Sequence, residues 1–281
     1  MNVTFLTYLA LVAFAANSVL TKFALAQGQI GPEAFIAIRL FAGAVTLVLL
    51  TAFRRGLRRL PTFQNPISAF ALLFYAVAFS FAYITLDTGI GALILFGGVQ
   101  ITMFAGALIS GERPHLFRWI GTILGMSGLA ILFAPGAAAP DPIGALLMTI
   151  AAISWGIYSL RGRIISEPLY ATAMNFIYAA PVGVVLWLIL PSDIPTTLNG
   201  VLLATASGAL ASGLGYAIWY SVLPKLDSSL AAILQLTVPI IALGGGILFL
   251  GESANWGFAL ASALIFGGVF LAVFSAKPAR D

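Results

Sequence analysis

Residues 86–112 read LDTGIGALILFGGVQITMFAGALISGE, and residues 226–252 read LDSSLAAILQLTVPIIALGGGILFLGE, 140 positions later and without a gap. Eight of the 27 aligned positions are identical. Identities among Leu, Ala and Gly arise easily by chance in apolar sequence, but each copy also begins at Leu-Asp and ends at Gly-Glu. Because the chain holds only nine acidic residues, two pairs in register indicate an internal duplication in which each copy is one apolar helix.

The composition is that of a membrane protein. Of the 281 residues, 61% are hydrophobic and 8% are charged, and the mean hydropathy is +1.06, whereas about a quarter of the residues of a soluble domain are charged. The chain has no cysteine and one histidine, His115. This excludes disulfides, thiolate sites and histidine-cluster metal sites, and leaves no obvious catalytic imidazole. We therefore expect no enzyme activity, no metal and no cofactor.

Ten apolar runs of roughly 20 residues divide the chain, and each is long enough to cross a bilayer as a helix. Short polar breaks containing Pro or Gly separate them. Pro181 and Pro239 are predicted to kink spans 7 and 9. The fold class is therefore predicted as all-α integral membrane with ten transmembrane helices, at residues 4–26, 33–53, 66–85, 88–110, 116–134, 142–162, 169–190, 198–220, 227–250 and 254–275.

The basic residues indicate the orientation. Eleven of the thirteen Lys and Arg residues follow even-numbered spans, so these ends and both chain termini are predicted to be cytoplasmic. The opposite loops lack Lys and Arg, and hold Glu33, Asp87, Asp141, Asp193 and Glu252. The eleven basic residues are Arg54, Arg55, Arg58, Arg59, Arg113, Arg118, Arg161, Arg163, Lys225, Lys277 and Arg280.

The duplication and the span count together predict an inverted repeat. Five spans per half is an odd number, so the two halves must cross the membrane in opposite senses. Asp87 is then outside and its counterpart Asp227 inside. This is the arrangement of many secondary transporters, whose substrate site lies at the interface between the repeats.

These features resemble the EamA branch of the drug/metabolite transporter superfamily. Asn17 and Lys22 match the family's Trp-Gly-x-Asn-x4-Lys signature, with Phe14-Ala15 in place of Trp-Gly. Trp155-Gly156 stands at the equivalent place in span 6, and Arg39, seven residues after a proline, matches the family's Pro…Arg in span 2. The resemblance covers essentially the whole chain, and among known members it is most similar to bacterial amino-acid and metabolite exporters of the YddG type.

The resemblance implies two EamA repeats, residues 1–137 (spans 1 to 5) and 138–281 (spans 6 to 10, inverted). It also implies a multi-pass carrier in the bacterial inner membrane that exports amino acids or similar small neutral or zwitterionic metabolites by alternating access. Because both halves are in one chain, we expect a functional monomer. The expected partners are a small-molecule substrate and the lipid bilayer, and not nucleic acid.

The placement of the acids bears on the mechanism. All nine lie at span ends or in loops, so no evident mid-membrane carboxylate is available to bind a proton or an organic cation. This favours a facilitator. Two alternatives stay open: proton-coupled export of drugs or organic cations, in which Glu33 or Asp87 would titrate, and uptake of another metabolite.

Polar and aromatic residues within the spans are the candidates for the substrate site. A polar side chain is costly in hydrocarbon and faces either a cavity or a partner helix, and a buried tyrosine hydroxyl needs a partner or water. Gln100 is the strongest candidate because it is central in the duplicated helix. Interhelical hydrogen bonds and lipid-facing aromatics are the alternatives. The candidates are Asn17, Tyr75, Phe79, Tyr83, Gln100, Trp155, Tyr158, Asn175, Tyr178, Tyr216, Trp219 and Gln235.

Four charged residues on the outer side form a candidate gate or charge lock: Lys22, Arg39, Glu33 and Asp87. Lys22 lies near a span end and could simply extend to the interface. Arg39 lies about two helical turns below the outer surface. It could pair with Glu33 or Asp87, or hydrogen-bond helix ends, as a structural lock on the outer side. It could instead attract a substrate carboxylate, and the lock is the favoured alternative.

Overall fold

The computed structural model describes residues 2–55, 66–132, 140–190, 192–252 and 256–274, and every regular element in these ranges is a helix. A backbone surrounded by lipid has to satisfy its own N–H and C=O groups, and a helix does so within one segment. The predicted all-helical class is confirmed. The basic residues Arg58, Arg59, Lys277 and Arg280, and the predicted domain boundary at residues 137 and 138, lie outside the described residues.

Eight helices of the described ranges are long and apolar enough to cross a membrane: α1 to α4 and α6 to α9. These eight helices coincide with eight of the ten predicted spans. The other two predicted spans correspond to α5 and α10, which have 17 and 19 residues. The helices are α1 (Val3–Ala26), α2 (Pro32–Arg55), α3 (Pro66–Thr85), α4 (Thr88–Ile109), α5 (Leu116–Leu132), α6 (Pro142–Arg163), α7 (Pro168–Ile189), α8 (Leu198–Lys225), α9 (Ser228–Leu250) and α10 (Trp256–Phe274).

Several helix ends carry residues that accept hydrogen bonds from free backbone N–H groups or allow the chain to turn. Asn2, Asp141 and Thr197 each accept a hydrogen bond, 2.7 to 3.1 Å long, from a backbone N–H in the first turn of α1, α6 and α8. After α4 and α9 the chain turns at Gly111 and Gly251, with φ of 81° and 70°. Glycine adopts this left-handed conformation without steric cost. These two glycines belong to the Gly-Glu ends of the duplicated stretch.

Most of the helix contacts have a counterpart five helices further along the chain. α3 packs on α6, and α8 packs on α1; likewise α4 packs on α6, and α9 packs on α1. The pairs α2 with α7, α4 with α9 and α5 with α10 are their own counterparts. The first and second groups of five helices therefore share one interleaved core.

Two helices are irregular where they pass through this core. α8 contains a π-helical stretch, Ser207–Leu214. α9 is interrupted between Gln235 and Val238, so Pro239 stands in the first turn of the second piece, where its missing N–H costs no helical hydrogen bond. α7 in contrast continues through Pro181. One of the two predicted proline sites therefore coincides with a break, and the other lies within a continuous helix.

Candidate functional site

Aromatic side chains from both halves of the chain fill the centre of the core. The indole of Trp155 on α6 is in the middle, and its ring centroid lies 5.2 Å from that of Phe14, 5.1 Å from Tyr75 and 4.7 Å from Tyr216. These are ordinary distances for packed aromatic rings. The group, called the aromatic cluster below, is buried and also includes Phe79, Tyr158, Phe176, Trp219 and Tyr220.

The guanidinium of Arg39, on α2, joins this cluster. Its Nε donates a hydrogen bond to Ser212 Oγ at 3.1 Å, and its Nη2 donates to the hydroxyls of Tyr75 at 3.3 Å and Tyr216 at 3.2 Å. The cation also lies over the rings of Tyr75 and Phe79, 5.3 and 5.1 Å from their centroids. Only 1% of the Arg39 surface is exposed, so this charge is held inside the protein by neutral oxygens and aromatic rings.

The arrangement differs from the predicted charge lock. No carboxylate of the described residues lies within 4 Å of the Arg39 guanidinium. Asp87 pairs instead with Lys22, Nζ to Oδ1, at 3.8 Å, and Glu33 is buried in the first turn of α2. Arg39 lies nearly two helical turns deeper than Glu33, and its side chain reaches across to hydroxyls on α3 and α8 rather than back to the helix end.

Asn17 extends the same network from α1. Its Nδ2 donates to the Tyr75 hydroxyl at 3.1 Å, and its Oδ1 accepts from Ser207 Oγ at 2.7 Å. The Tyr75 hydroxyl therefore accepts from both Asn17 and Arg39. Both anchoring serines, Ser207 and Ser212, lie on the π-helical stretch of α8, and π-helical turns occur frequently at functional sites.

A glycine brings that stretch close to α2. A Cβ added to Gly208 would collide with the carbonyl oxygen of Arg39. The α8 backbone thus lies directly against α2 at the level of the arginine, and no larger residue fits there without a backbone shift. This close approach puts Ser212 within reach of the guanidinium.

Gln235, at the interruption of α9, contacts the aromatic cluster at Trp155. Its Oε1 accepts a hydrogen bond from Trp155 Nε1 at 2.9 Å, and its Nε2 donates to the sulfur of Met103 at 3.0 Å. The structure thus brings together two of the predicted residues that lie 80 positions apart. Interrupted helices near the membrane midplane are where many transporters bind their substrates.

A second polar group adjoins the cluster. Asn175 Nδ2 donates to the Tyr158 hydroxyl at 3.2 Å. With Ser68, Thr172 and Tyr220, these two residues line a small cavity of about 10 Å³, roughly the space that one water molecule needs. Tyr158 links this cavity to the cluster through its ring contact with Trp155.

Three predicted residues lie apart from the centre. Gln100 faces α5, where its Nε2 donates to Thr122 Oγ1 at 3.1 Å. Tyr178 is 37% exposed on α7, although Asn175 one turn earlier is buried. The ring of Tyr83 packs on Phe79, and its hydroxyl donates to the Thr88 carbonyl at 3.4 Å, so it extends from the cluster toward one end of the bundle.

That end, called end one below, is where the start of α4 meets the end of α9. Glu252 Oε1 accepts a hydrogen bond from the backbone nitrogen of Thr88 at 2.9 Å. The Lys22–Asp87 pair lies beside it, with the Asp87 side chain 69% exposed. The carboxylate of Glu252 therefore caps α4, whose positive N-terminal end favours a negative charge.

At the opposite end, called end two, the start of α9 meets the end of α4 in the same way. Glu112 Oε2 accepts from the backbone nitrogen of Ser228 at 3.0 Å, and its Oε1 accepts from that of Ser229 at 3.3 Å. Glu112 and Glu252 are equivalent positions of the duplicated stretch, as are Thr88 and Ser228. Each copy of the stretch thus caps the first turn of the other.

End two carries additional charged contacts. Arg118 Nη1 donates to Glu112 Oε1 at 3.1 Å, and its Nη2 pairs with Asp227. Arg163 Nη2 lies 3.8 Å from Asp227 Oδ1, and its Nε donates to the Leu226 carbonyl at 2.9 Å. Within the described residues, end two thus has two arginines paired with carboxylates, whereas end one has the single Lys22–Asp87 ion pair.

Several members of the site were not predicted as site residues from the sequence. Phe14 and Phe176 belong to a residue type with 21 copies spread along the chain, and Ser207 and Ser212 stand in an apolar span rich in small residues. A signal for the serines does exist, because Ser-Gly occurs at 207–208 and again five positions later, the hydrogen-bond spacing of a π-helix.

The cluster has the chemistry of a recognition site. Its polar groups are amides, hydroxyls, an indole N–H and one guanidinium, which bind polar organic groups through hydrogen bonds. Among the described residues, no three His, Asp or Glu side chains are grouped to hold a metal ion. The large aromatic area around these few polar groups is typical of small-molecule sites.

Comparison with known proteins shows the following. The model of the EamA-like transporter family matches residues 1–134 and 142–274. An uncharacterized protein of Pseudomonas aeruginosa is 43% identical over 266 residues, 95% of this chain and 92% of that protein. A probable amino-acid metabolite efflux pump of Salmonella typhimurium is 26% identical over 234 residues, 75% of this chain and 74% of that one. A crystal structure with 20% identity, covering 96% of this chain and 99% of its own, superposes with a TM-score of 0.79 and shares the fold.

Proposed function

Because the chain belongs to the EamA-like transporter family, and so is a membrane transporter rather than an enzyme, we propose that it exports amino acids or similar small neutral or zwitterionic metabolites across the bacterial inner membrane. The substrate site is the aromatic cluster with Arg39, Asn17 and Gln235. The observation that carries the proposal is this buried, mostly neutral polar network at the junction of the two halves. The similarity to an amino-acid metabolite efflux pump supports the substrate class.

The proposed architecture is ten transmembrane helices in two inverted repeats, residues 1–137 and 138–281. The reciprocal caps support it, because Glu112 and Glu252 can each cap the other copy only if α4 and α9 run antiparallel. The paired helix contacts support it as well. In this architecture α5 and α10 are the remaining two spans.

The proposed orientation places end two and both chain termini in the cytoplasm. The basic residues of end two support this by the positive-inside rule. End one, with Asp87, Asp141 and Glu252, then faces the periplasm. The basic residues of end two within the described ranges are Arg54, Arg55, Arg113, Arg118, Arg161, Arg163 and Lys225.

The proposed mechanism is alternating access. A solute bound in the cluster is exposed to one side when the Glu252–Thr88 contact opens, and to the other when the Glu112–Ser228 contact opens. Each contact is a hydrogen bond to a charged carboxylate, worth roughly 1.5–3 kcal/mol. Water can replace it at an opened end, so this hydrogen bond by itself adds only a modest free-energy cost to opening.

Counterflow in proteoliposomes tests the proposal. Vesicles loaded with unlabelled methionine, threonine or phenylalanine are diluted into the same labelled amino acid, with and without a pH gradient. We expect accumulation of label that does not depend on the gradient. Accumulation that requires the gradient would instead favour proton coupling, with Glu33 as the buried acid to examine. If none of the three amino acids enters, amino-acid export is wrong.

A further inference from the structure

Arg39 is a buried cation that has no carboxylate partner among the described residues. It lies in the interior of α2, it is 1% exposed, and no described carboxylate is within 4 Å of it. A charged side chain at this depth in a membrane protein is costly and is usually paired or functional. Within the described part of the chain, the positive charge of the site therefore has no compensating negative charge.

Only two of the three nitrogens of the Arg39 guanidinium donate hydrogen bonds to described residues. Nε and Nη2 donate to Ser212, Tyr75 and Tyr216, whereas Nη1 is buried and has no hydrogen-bond partner among the described residues. The Tyr75 and Phe79 rings cover the guanidinium face. The surrounding residues thus fix the plane of the group and leave one nitrogen with two N–H donors at its edge.

We propose that Arg39 binds the carboxylate of the transported solute through Nη1 and thereby restricts transport to compounds carrying one carboxylate. This inference rests on the proposed function and adds the group by which the solute is recognised. Planar guanidinium groups pair with carboxylates in a fixed geometry. The carboxylate supplies the charge that the protein does not, and it takes the donors that are otherwise unsatisfied.

The charge balance favours a carboxylate over a phosphate. Arg39 is the single cation in contact with the cluster among the described residues, since Lys22 pairs with Asp87 at end one. One cation compensates a monoanion, whereas a phosphate dianion would leave net negative charge inside the membrane. A solute ammonium group, where present, can lie over the faces of Phe14 and Trp155, because aromatic faces attract cations.

The test is a binding measurement that does not depend on transport. Purified protein is heated in detergent with methionine, methioninamide, 4-methylthiobutanoate or inorganic phosphate, and the shift of the unfolding temperature is followed against concentration. We expect both carboxylates to bind at least about tenfold more tightly than the amide, as expected for the loss of a charged hydrogen bond, and phosphate not to bind. Equal affinity of acid and amide, or no binding by either carboxylate, would overturn the inference.

Substitutions at Arg39 test whether its guanidinium is the group that recognises the carboxylate. Arg39→Gln should abolish the preference for the carboxylates over the amide. Arg39→Lys keeps the charge but lacks the planar guanidinium, and should reduce this preference. Arg113→Gln, at an exposed arginine of end two, is the matched control and should keep it. If Arg39→Gln retains the acid preference, the inference is wrong. If Arg39→Gln does not fold, the comparison of acid with amide on the unchanged protein still decides.

The two proposals can fail separately. Carboxylate binding that depends on Arg39, together with no amino-acid counterflow, would leave the carboxylate site intact and reject amino-acid export. The opposite result is counterflow of labelled methionine that unlabelled methionine and methioninamide, added as competitors, inhibit equally. It would support export and reject the role of Arg39.

Discussion

Glu252 accepts a hydrogen bond at 2.9 Å from the backbone nitrogen of Thr88, although the two residues are 164 positions apart in the chain. Its counterpart in the duplicated stretch, Glu112, does the same for Ser228 at the other end of the bundle. The acids that mark the duplication in the sequence are thus the residues that connect its two copies. In the proposed mechanism they are also the contacts that open in alternation.

Removing the charge of Glu112 should destabilise the protein. Glu112 caps two backbone amides, accepts from the Ser229 hydroxyl and pairs with Arg118, so Glu112→Gln weakens several contacts at once. We expect a loss of about 1–3 kcal/mol, measured by thermal unfolding in detergent. Asp193→Asn, at an exposed loop acid, is the control. A Glu112→Gln variant as stable as this control would contradict the assigned capping role.

Removing the charge of Asp87 should have a much smaller effect. Its side chain is 69% exposed and lies 3.8 Å from Lys22, and exposed ion pairs contribute about 0–1 kcal/mol. Asp87→Asn should therefore unfold within about 1 kcal/mol of the unchanged protein, and raising the salt concentration should shrink the difference. A loss as large as that of Glu112→Gln would show that Lys22–Asp87 is a structural lock.

The two buried glutamines should differ in their importance for transport. Gln235 contacts Trp155 in the aromatic cluster, whereas Gln100 contacts Thr122 on α5. We expect Gln235→Leu to raise the KM of counterflow about tenfold, because it leaves the buried indole N–H unsatisfied in the site. Gln100→Leu should leave the KM within about twofold, as a change away from the site. The reverse order would move the substrate site toward α5.

Gly208 should be intolerant of even one methyl group. A Cβ there would collide with the Arg39 carbonyl oxygen, whereas a Cβ at Gly244 would meet nothing within 4 Å. Gly208→Ala should therefore destabilise by about 1–3 kcal/mol, and Gly244→Ala should be neutral or slightly stabilising, by up to about 1 kcal/mol. Thermal unfolding of both variants gives the comparison, and equal stability would show that α8 does not lie this close to α2.

The sequence predicts the helices well because each span can be recognised from its length and apolar composition. It also predicts that the mid-span polar groups of Asn17, Tyr75, Trp155, Tyr216 and Gln235 have partners, and each forms a hydrogen bond. It does not predict which partners these are. Side chains on one helix face several neighbours, and only the packing decides that Gln100 points to α5 while Gln235 points to the cluster.

The prediction for Arg39 shows the same limit. The sequence favours a lock in which Arg39 pairs with Glu33 or Asp87 or hydrogen-bonds helix ends, whereas in the structure the guanidinium donates to hydroxyls on α3 and α8. One of them, Ser212, is 173 positions away and is brought close by the π-helical stretch and by Gly208. Neither the irregular helix nor the close backbone approach follows from hydrophobic periodicity.

Alternating access is tested most directly by thiol labelling, because the chain has no cysteine. Ser18 and Ser159 are fully buried, one helical turn from Lys22 of end one and from Arg163 of end two. In proteoliposomes, Glu252→Gln should raise labelling of the Ser18→Cys variant by an impermeant maleimide and lower labelling of the Ser159→Cys variant. Glu112→Gln should do the reverse. If labelling at both positions rises together, the carboxylates merely hold the fold closed, and the alternating role assigned to them is wrong.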